Sequence, residues 1–159
     1  MKVEGSYTVP APRDLVWQKL MDPKVLARTL PGCEKFVPDP AGGFKVSLKI
    51  GVAAIKGSYE GHVQITDVRP PEGYRMKLEG KGTGGFLKGN GALSLAESSG
   101  ETIITYSGDA HLGGPIAALA QRLAQVAARQ IVNQFFQSFA GQVQNVPSQD
   151  AEKPPKSSP

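Results

Sequence analysis

Apolar and polar residues alternate along this chain in two rhythms, and the changes of rhythm mark its organisation. Residues 2–9, KVEGSYTV, alternate with period two and read as a short strand, which Pro10-Ala11-Pro12 ends. In RDLVWQKLM the spacing lengthens, so that Val16, Trp17, Leu20 and Met21 share one helical face, with Pro12 suited to the first turn. Asp22-Pro23 is a cap-and-start signal for a second short helix through Leu30, closed by Pro31-Gly32-Cys33. From Glu34 to Leu112 period two returns. Phe44, Val46, Leu48, Ile50 and Val52 alternate with polar or small residues, as do Tyr59, Gly61, Val63 and Ile65, and then Tyr74, Met76, Leu78 and Gly80. Leu87, Gly89, Gly91, Leu93 and Leu95 continue the pattern, followed by Ile104, Tyr106, Gly108, Ala110 and Leu112. Proline- and glycine-rich turn signals separate the runs, which predicts an antiparallel meander with one apolar face.

The last element is a long helix from about Gly114 to Gly141. Ile116, Leu119, Ala120, Leu123, Val126 and Ala127 line one face, opposite Gln121, Arg122, Gln125 and Arg129. Beyond Ile131 the apolar arc rotates to Val132, Phe135, Phe136 and Phe139, which one straight helix on one flat sheet does not explain. Either the last turns wrap onto the two short helices, or Phe136 and Phe139 are partly exposed. The predicted domain covers residues 1–143, and the polar, proline-rich residues 144–159 read as a disordered tail.

The stretch GKGTGGFLKGNGALSL, residues 80–95, invites a nucleotide-binding reading that its spacing rejects. Gly84 and Gly89 have the P-loop separation, but Asn90-Gly91 follow where Lys-Ser/Thr is needed. Gly82-x-Gly84 leads into an alternating strand, not into the helix that a dinucleotide fold requires. With a two-residue turn at Gly84-Gly85, Gly80 faces Gly89 and Leu78 faces Gly91; a Ser99-Gly100 turn sets Gly91 opposite Gly108 and Leu93 opposite Tyr106. Gly61, Gly80, Gly82, Gly89, Gly91 and Gly108 then cluster on the inner face at one end. Glycine inside a strand marks a bend or a close approach, so these six fit a sharply curved sheet, space left for a ligand, or both.

A ligand there would meet Leu48, Ile50, Val63, Met76, Leu78, Leu87, Leu93 and Leu112 from the sheet and Ile116, Leu119, Ala120 and Leu123 from the helix, around the glycines. No inner-face position is charged, and the only polar groups are the hydroxyls of Tyr59, Tyr74 and Tyr106. Such a lining suits a lipid-like or aromatic guest.

Composition narrows the function without choosing it. At 159 residues with 40% hydrophobic content the chain reads as one soluble domain, and no apolar run approaches the roughly 18 residues of a membrane span. MKVEGSYTV lacks a signal peptide's apolar core, and a lone Cys33 fits a reducing cytoplasm. The net charge of +4 allows attraction to an anionic membrane or acidic partner, but the basic residues lack the aromatic interleaving of single-strand nucleic-acid binders.

The order of elements resembles the α+β helix-grip fold of the START-like (SRPBCC) superfamily: a curved antiparallel seven-stranded sheet around a long C-terminal helix, with two short helices after strand 1. Within it, VPAPRDLVWQKLMDPKVLARTLPGCEKF, KGTGGFLKGNGALSL and YSGDAHLGGPIAALAQRL are similar, in this order, to blocks of the carbon monoxide dehydrogenase CoxG family. The resemblance implies a non-catalytic accessory protein of a molybdenum-containing CO dehydrogenase-type hydroxylase, cytoplasmic and peripherally attached to the inner face of the cytoplasmic membrane. Joined to the apolar pocket, it suggests a bound quinone or isoprenoid lipid and no covalent cofactor. Where relatives continue into an apolar C-terminal extension this sequence reads PPKSSP. Membrane contact would then rest on exposed apolar residues and lysines, with Lys81, Phe86 and Lys88 beside the glycine hairpin as candidates, or on the partner enzyme. A solvated edge strand is the alternative reading of those lysines.

Catalytic readings find less support. Cys33 has no histidine near it in sequence, and His62 and His111 fall on the outward phase of their strands. Asp109 and His111 share an outer face but make a poor metal site. A polyketide cyclase or dehydratase of the same superfamily would have to work through Tyr59, Tyr74 or Tyr106, and a docking adaptor would have a collapsed core without a ligand.

Overall fold

The computed structural model describes residues 1–51, 56–115, 117 and 121–151. Its elements are β1 (Lys2–Val9), α1 (Arg13–Leu20), α2 (Pro23–Thr29), β2 (Cys33–Pro38), β3 (Phe44–Ile50), β4 (Gly57–Arg69), β5 (Gly73–Gly82), β6 (Gly85–Ser98), β7 (Glu101–Gly113) and α3 (Gln121–Ala151). All seven strands join one curved antiparallel sheet in the order β1-β7-β6-β5-β4-β3-β2. Because β1 and β2 are opposite edges, α1 and α2 carry the chain from one edge to the other. The expected α2 signal is realised: Pro23 opens the helix, and the Asp22 carboxylate accepts from the Lys24 amide at 2.9 Å.

The two glycine hairpins differ in what the sequence could fix. Ser99 and Gly100 both take left-handed φ, 53° and 79°, the geometry that a tight two-residue hairpin needs. Gly91 accordingly pairs with Gly108 and Leu93 with Tyr106, as expected. In the β5–β6 hairpin the turn is Thr83-Gly84 and not Gly84-Gly85, so Gly80 pairs with Leu87, Leu78 with Gly89 and Met76 with Gly91. The shift is two residues. Side chains repeat every second position, so a two-residue slip keeps every residue on its face and apolar patterning cannot detect it.

The core gathers at one end of the concave face. Val9 of β1, Val16 and Leu20 of α1, Val25 of α2 and Ile104 of β7 meet Phe136, Phe139 and Val143 of α3. Tyr7 and Tyr106 stack on Phe136 at 5.3 and 5.2 Å, and Phe135 stacks on Phe139 at 5.7 Å. α3 packs on β1, α1 and α2. This accounts for its rotated apolar arc: the last turns wrap onto the short helices, and Phe136 and Phe139 are 3% and 0% exposed. The helix also passes Gly141, its expected end, because Gly141 takes no left-handed cap conformation and the fully buried Val143 holds a further turn. The expected tail from residue 144 therefore begins inside α3, and residues 152–159 lie outside the described residues. Val126, expected on the apolar face, is 62% exposed, whereas its neighbour Ala127 is fully buried.

One buried hydrogen bond ties this end together: the Thr102 hydroxyl donates to the Ala11 carbonyl at 2.7 Å. Thr102→Val keeps the shape and removes the donor from a buried acceptor. Denaturant unfolding is expected to show a loss of about 1–3 kcal/mol.

Candidate functional site

Because the aromatic cluster of α3 fills one end of the concave face, the expected site residues divide into two groups. Tyr74 and Leu93 belong to the packed core, with Met76 and Tyr106 against it. Leu48, Ile50, Tyr59, Val63, Leu78, Leu87 and Leu112 are only half-buried and, with Gly61, Gly80, Gly89, Gly91 and Gly108, line the other end. Ile116, Leu119 and Ala120, expected on the helix side, lie outside the described residues, as do Val52 and the side chain of Leu123. The candidate site is this second end, where the sheet residues are half-buried.

The glycines explain its shape. A Cβ on Gly61 would stand 2.6 Å from the Glu79 carbonyl oxygen, and one on Gly89 would stand 2.8 Å from that of Asp109. At Gly91 and Gly108 the nearest atoms are the carbonyls of Ser107 and Asn90, at 3.1 and 3.2 Å. The crowding atoms are backbone of the next strand. Missing side chains thus let the strands coil tightly, which is the curved-sheet reading, and the same absence leaves the concave surface without volume there. Gly80 differs: its nearest neighbour, the Glu60 carbonyl, is at 3.6 Å, an ordinary contact.

Tyr59 supplies the polar feature of this end. Its hydroxyl is buried and has no hydrogen-bond partner among the described residues, and burial raises its pKa. A buried phenol without a partner costs free energy that an acceptor on a guest would recover. Tyr74, by contrast, is buried in the core beside Trp17, at 5.8 Å edge-on, and desolvation pushes its phenol up to about 12. The unfolded phenol titrates near 10, so the folded state retains the proton longer. Stability from this group is complete below about pH 10 and falls by about 1.4 kcal/mol per pH unit from about 10 to 12. Tyr74→Phe is expected to remove most of that alkaline slope in denaturant titrations at pH 9 and 11.5.

The remaining candidates lie elsewhere. Lys81, Phe86 and Lys88 face outward and line a groove of about 670 Å³ on the convex side, where Lys35, Lys45, Asp39, Glu60, His62 and Glu79 also converge. Its charges are mixed, and Phe86 is 42% exposed. His62 faces outward, with Nε2 2.8 Å from the Gly42 carbonyl and 3.5 Å from the Asp39 carboxylate. Asp109 lies 3.6 Å from the N-terminal amine, and His111 packs beside Phe86. Burial raises the Cys33 pKa, so it stays a thiol near neutral pH, and its Sγ donates to the Lys35 carbonyl at 3.4 Å. Among the described residues no three His, Cys, Asp or Glu gather as metal ligands, and no helix is long and apolar enough to cross a membrane.

One opening has no counterpart in the sequence patterns. Pro31 and Gly32 before β2, Lys49, Ile50 and Gly51 at the end of β3, and Gln130, Ile131 and Gln134 of α3 line a gap of about 320 Å³. It joins segments about a hundred residues apart, and no local pattern marks it.

Comparison with known proteins agrees with this architecture. The crystal structure of a conserved protein from Geobacillus kaustophilus is 31% identical, with a TM-score of 0.88 over 91% of this chain and 96% of that one. The Zhui aromatase/cyclase from a Streptomyces species is 17% identical, with a TM-score of 0.67 over 91% and 94% of the two chains. A START superfamily protein from Mycobacterium smegmatis is 10% identical, with a TM-score of 0.67 over 91% and 98%. The last two likenesses show a shared START-like helix-grip fold. No curated protein matches the sequence. Residues 5–144 match the family model of the carbon monoxide dehydrogenase protein CoxG, and the chain belongs to that family.

Proposed function

We propose that this protein is a non-catalytic carrier that holds a quinone or similar isoprenoid lipid at the half-buried end of its concave face and serves a CO dehydrogenase-type molybdenum hydroxylase at the cytoplasmic membrane. The family supports the accessory role. The observation that carries the ligand is the contrast along one face: a core closed by Phe136 and Phe139 at one end, and uncharged, half-buried apolar residues with the Tyr59 hydroxyl, unpartnered among the described residues, at the other. The oxidation of CO releases electrons that a respiratory chain must accept, and a membrane quinone is an acceptor of matching chemistry. Withdrawing it from a bilayer requires many buried methylenes, each worth about 0.8 kcal/mol, so the guest must lie along an apolar surface. Tyr59 would donate to a quinone carbonyl oxygen, and the exposed Phe86 with Lys81 and Lys88 would meet the membrane or the enzyme. The test is incubation with phosphatidylglycerol vesicles containing a long-chain menaquinone, followed by flotation and extraction of the protein fraction. Stoichiometric quinone in that fraction is expected; none, under conditions where the protein stays folded, rejects the carrier.

A second reading, a cyclase or dehydratase acting through Tyr59, draws on the same buried phenol and on the fold shared with an aromatase/cyclase. Its raised pKa suits a proton donor better than a base. A guest recovered chemically unchanged after prolonged incubation favours the carrier, and a converted guest favours the enzyme. A dry interior that takes up neither leaves a docking adaptor.

A further inference from the structure

We propose that the guest enters and leaves through the gap between α3 and the end of β3, not beside the glycine hairpin; this rests on the carrier reading. The gap has the graded lining that passage of an amphiphile requires. Ile50 and Ile131, both half-buried, line it, while the exposed Lys49, Gln130 and Gln134 stand at its rim, the two glutamines one helical turn apart. Amide N–H groups there can hydrogen-bond the carbonyl oxygens of a quinone head as it leaves water, and the isoleucines receive the chain that follows.

The gap leads toward the candidate site. Ile50 pairs with Gly57, and the next inward-facing pair is Leu48 with Tyr59. On this path a guest passes Ile50 and the Leu48–Tyr59 pair before it reaches the Tyr59 hydroxyl, which lies beside Gly84 and has no partner among the described residues. By contrast, the groove beside Lys81, Phe86 and Lys88 reaches Gly61, Gly80 and Leu87 but is ringed by Lys35, Asp39, Lys45, Glu60 and Glu79, a charged lining that an isoprenoid chain disfavours.

Gly51 makes the inference testable. It lines the gap, its φ is not left-handed, and among the described residues nothing lies within 4 Å of where its Cβ would stand. Gly51→Phe therefore adds a ring clear of the described residues. Gln134→Phe does the same from the helix wall, at an exposed position, and guards against a folding artefact of either change. The probe is a decyl-substituted benzoquinone, mixed with the protein in a stopped-flow instrument while the fluorescence of Trp17, the only tryptophan, is followed. Both variants are expected to slow association and dissociation by about tenfold or more while Kd moves by less than about threefold, the signature of a narrowed passage and an intact site. If wild type binds and both folded variants keep its rates, the guest enters elsewhere and the inference falls while the carrier stands. If wild type does not bind, the carrier reading fails and the entrance fails with it.

Discussion

Phe139→Ala is expected to lower stability by about 3–5 kcal/mol, the cost of deleting a large, fully enclosed aromatic side chain where the cavity cannot collapse. Phe139 is 0% exposed, stacks on Phe135 at 5.7 Å and belongs to the cluster that joins α1, α2 and α3 to the sheet. Relaxation is hindered on every side, because Val16, Leu20 and Val25 lie on helices that the sheet edges already fix. The measurement is denaturant unfolding of wild type, Phe139→Ala and Phe86→Ala. Phe86, 42% exposed on the convex side, should change stability by no more than about 0.5 kcal/mol. Equal effects from the two phenylalanines would mean that the core is not where α3 meets the short helices.

Gly80→Leu is expected to weaken guest binding by more than about tenfold without destabilising the fold. Among Gly61, Gly80, Gly89, Gly91 and Gly108, Gly80 has the roomiest Cβ position, its nearest neighbour being at 3.6 Å. It pairs with Gly61 and Leu87, so its side chain would project into the half-buried end of the concave face. A leucine there should weaken binding of a decyl-benzoquinone by more than about tenfold, as about 1.4 kcal/mol or more of contact is lost to an occupied site. Stability should stay level or rise, since leucine orders a strand better than glycine. Gly61→Ala is the counterpart: its Cβ would stand 2.6 Å from the Glu79 carbonyl. It should therefore lower stability by about 1–3 kcal/mol through backbone displacement. If Gly80→Leu binds the probe as wild type does, the guest does not lie on that surface.

The fold was largely legible because its signals are local. Asp22-Pro23 marked α2, the alternation marked β3 to β7, though not the irregular β2, and the left-handed demand at Ser99-Gly100 fixed the β6–β7 register. Where two answers share the same parity, as at Thr83-Gly84 against Gly84-Gly85, only turn geometry separates them, and glycines on both sides erased that signal. The inner face was legible as a face, but not its division into a buried and a half-buried end. Tyr74 and Leu93 alternate in the same way as Leu78 and Leu87; what distinguishes them is the end at which Phe136 and Phe139 arrive, about fifty residues later in the chain. The gap at Gly51 and Gln134 is likewise a product of packing between distant segments. The glycines had a double reading in sequence, and the nearby carbonyls at Gly61 and Gly89 account for the curvature directly, while Gly80 keeps room beside it.

The most direct measurement is native mass spectrometry of the protein purified without detergent from cells that make quinones, followed by solvent extraction and identification of what is released. One quinone or isoprenoid lipid per chain is expected in wild type and less in Gly80→Leu. A wild-type chain of bare mass, with no uptake from quinone-containing vesicles, would contradict the carrier and leave an adaptor or an enzyme acting on another substrate.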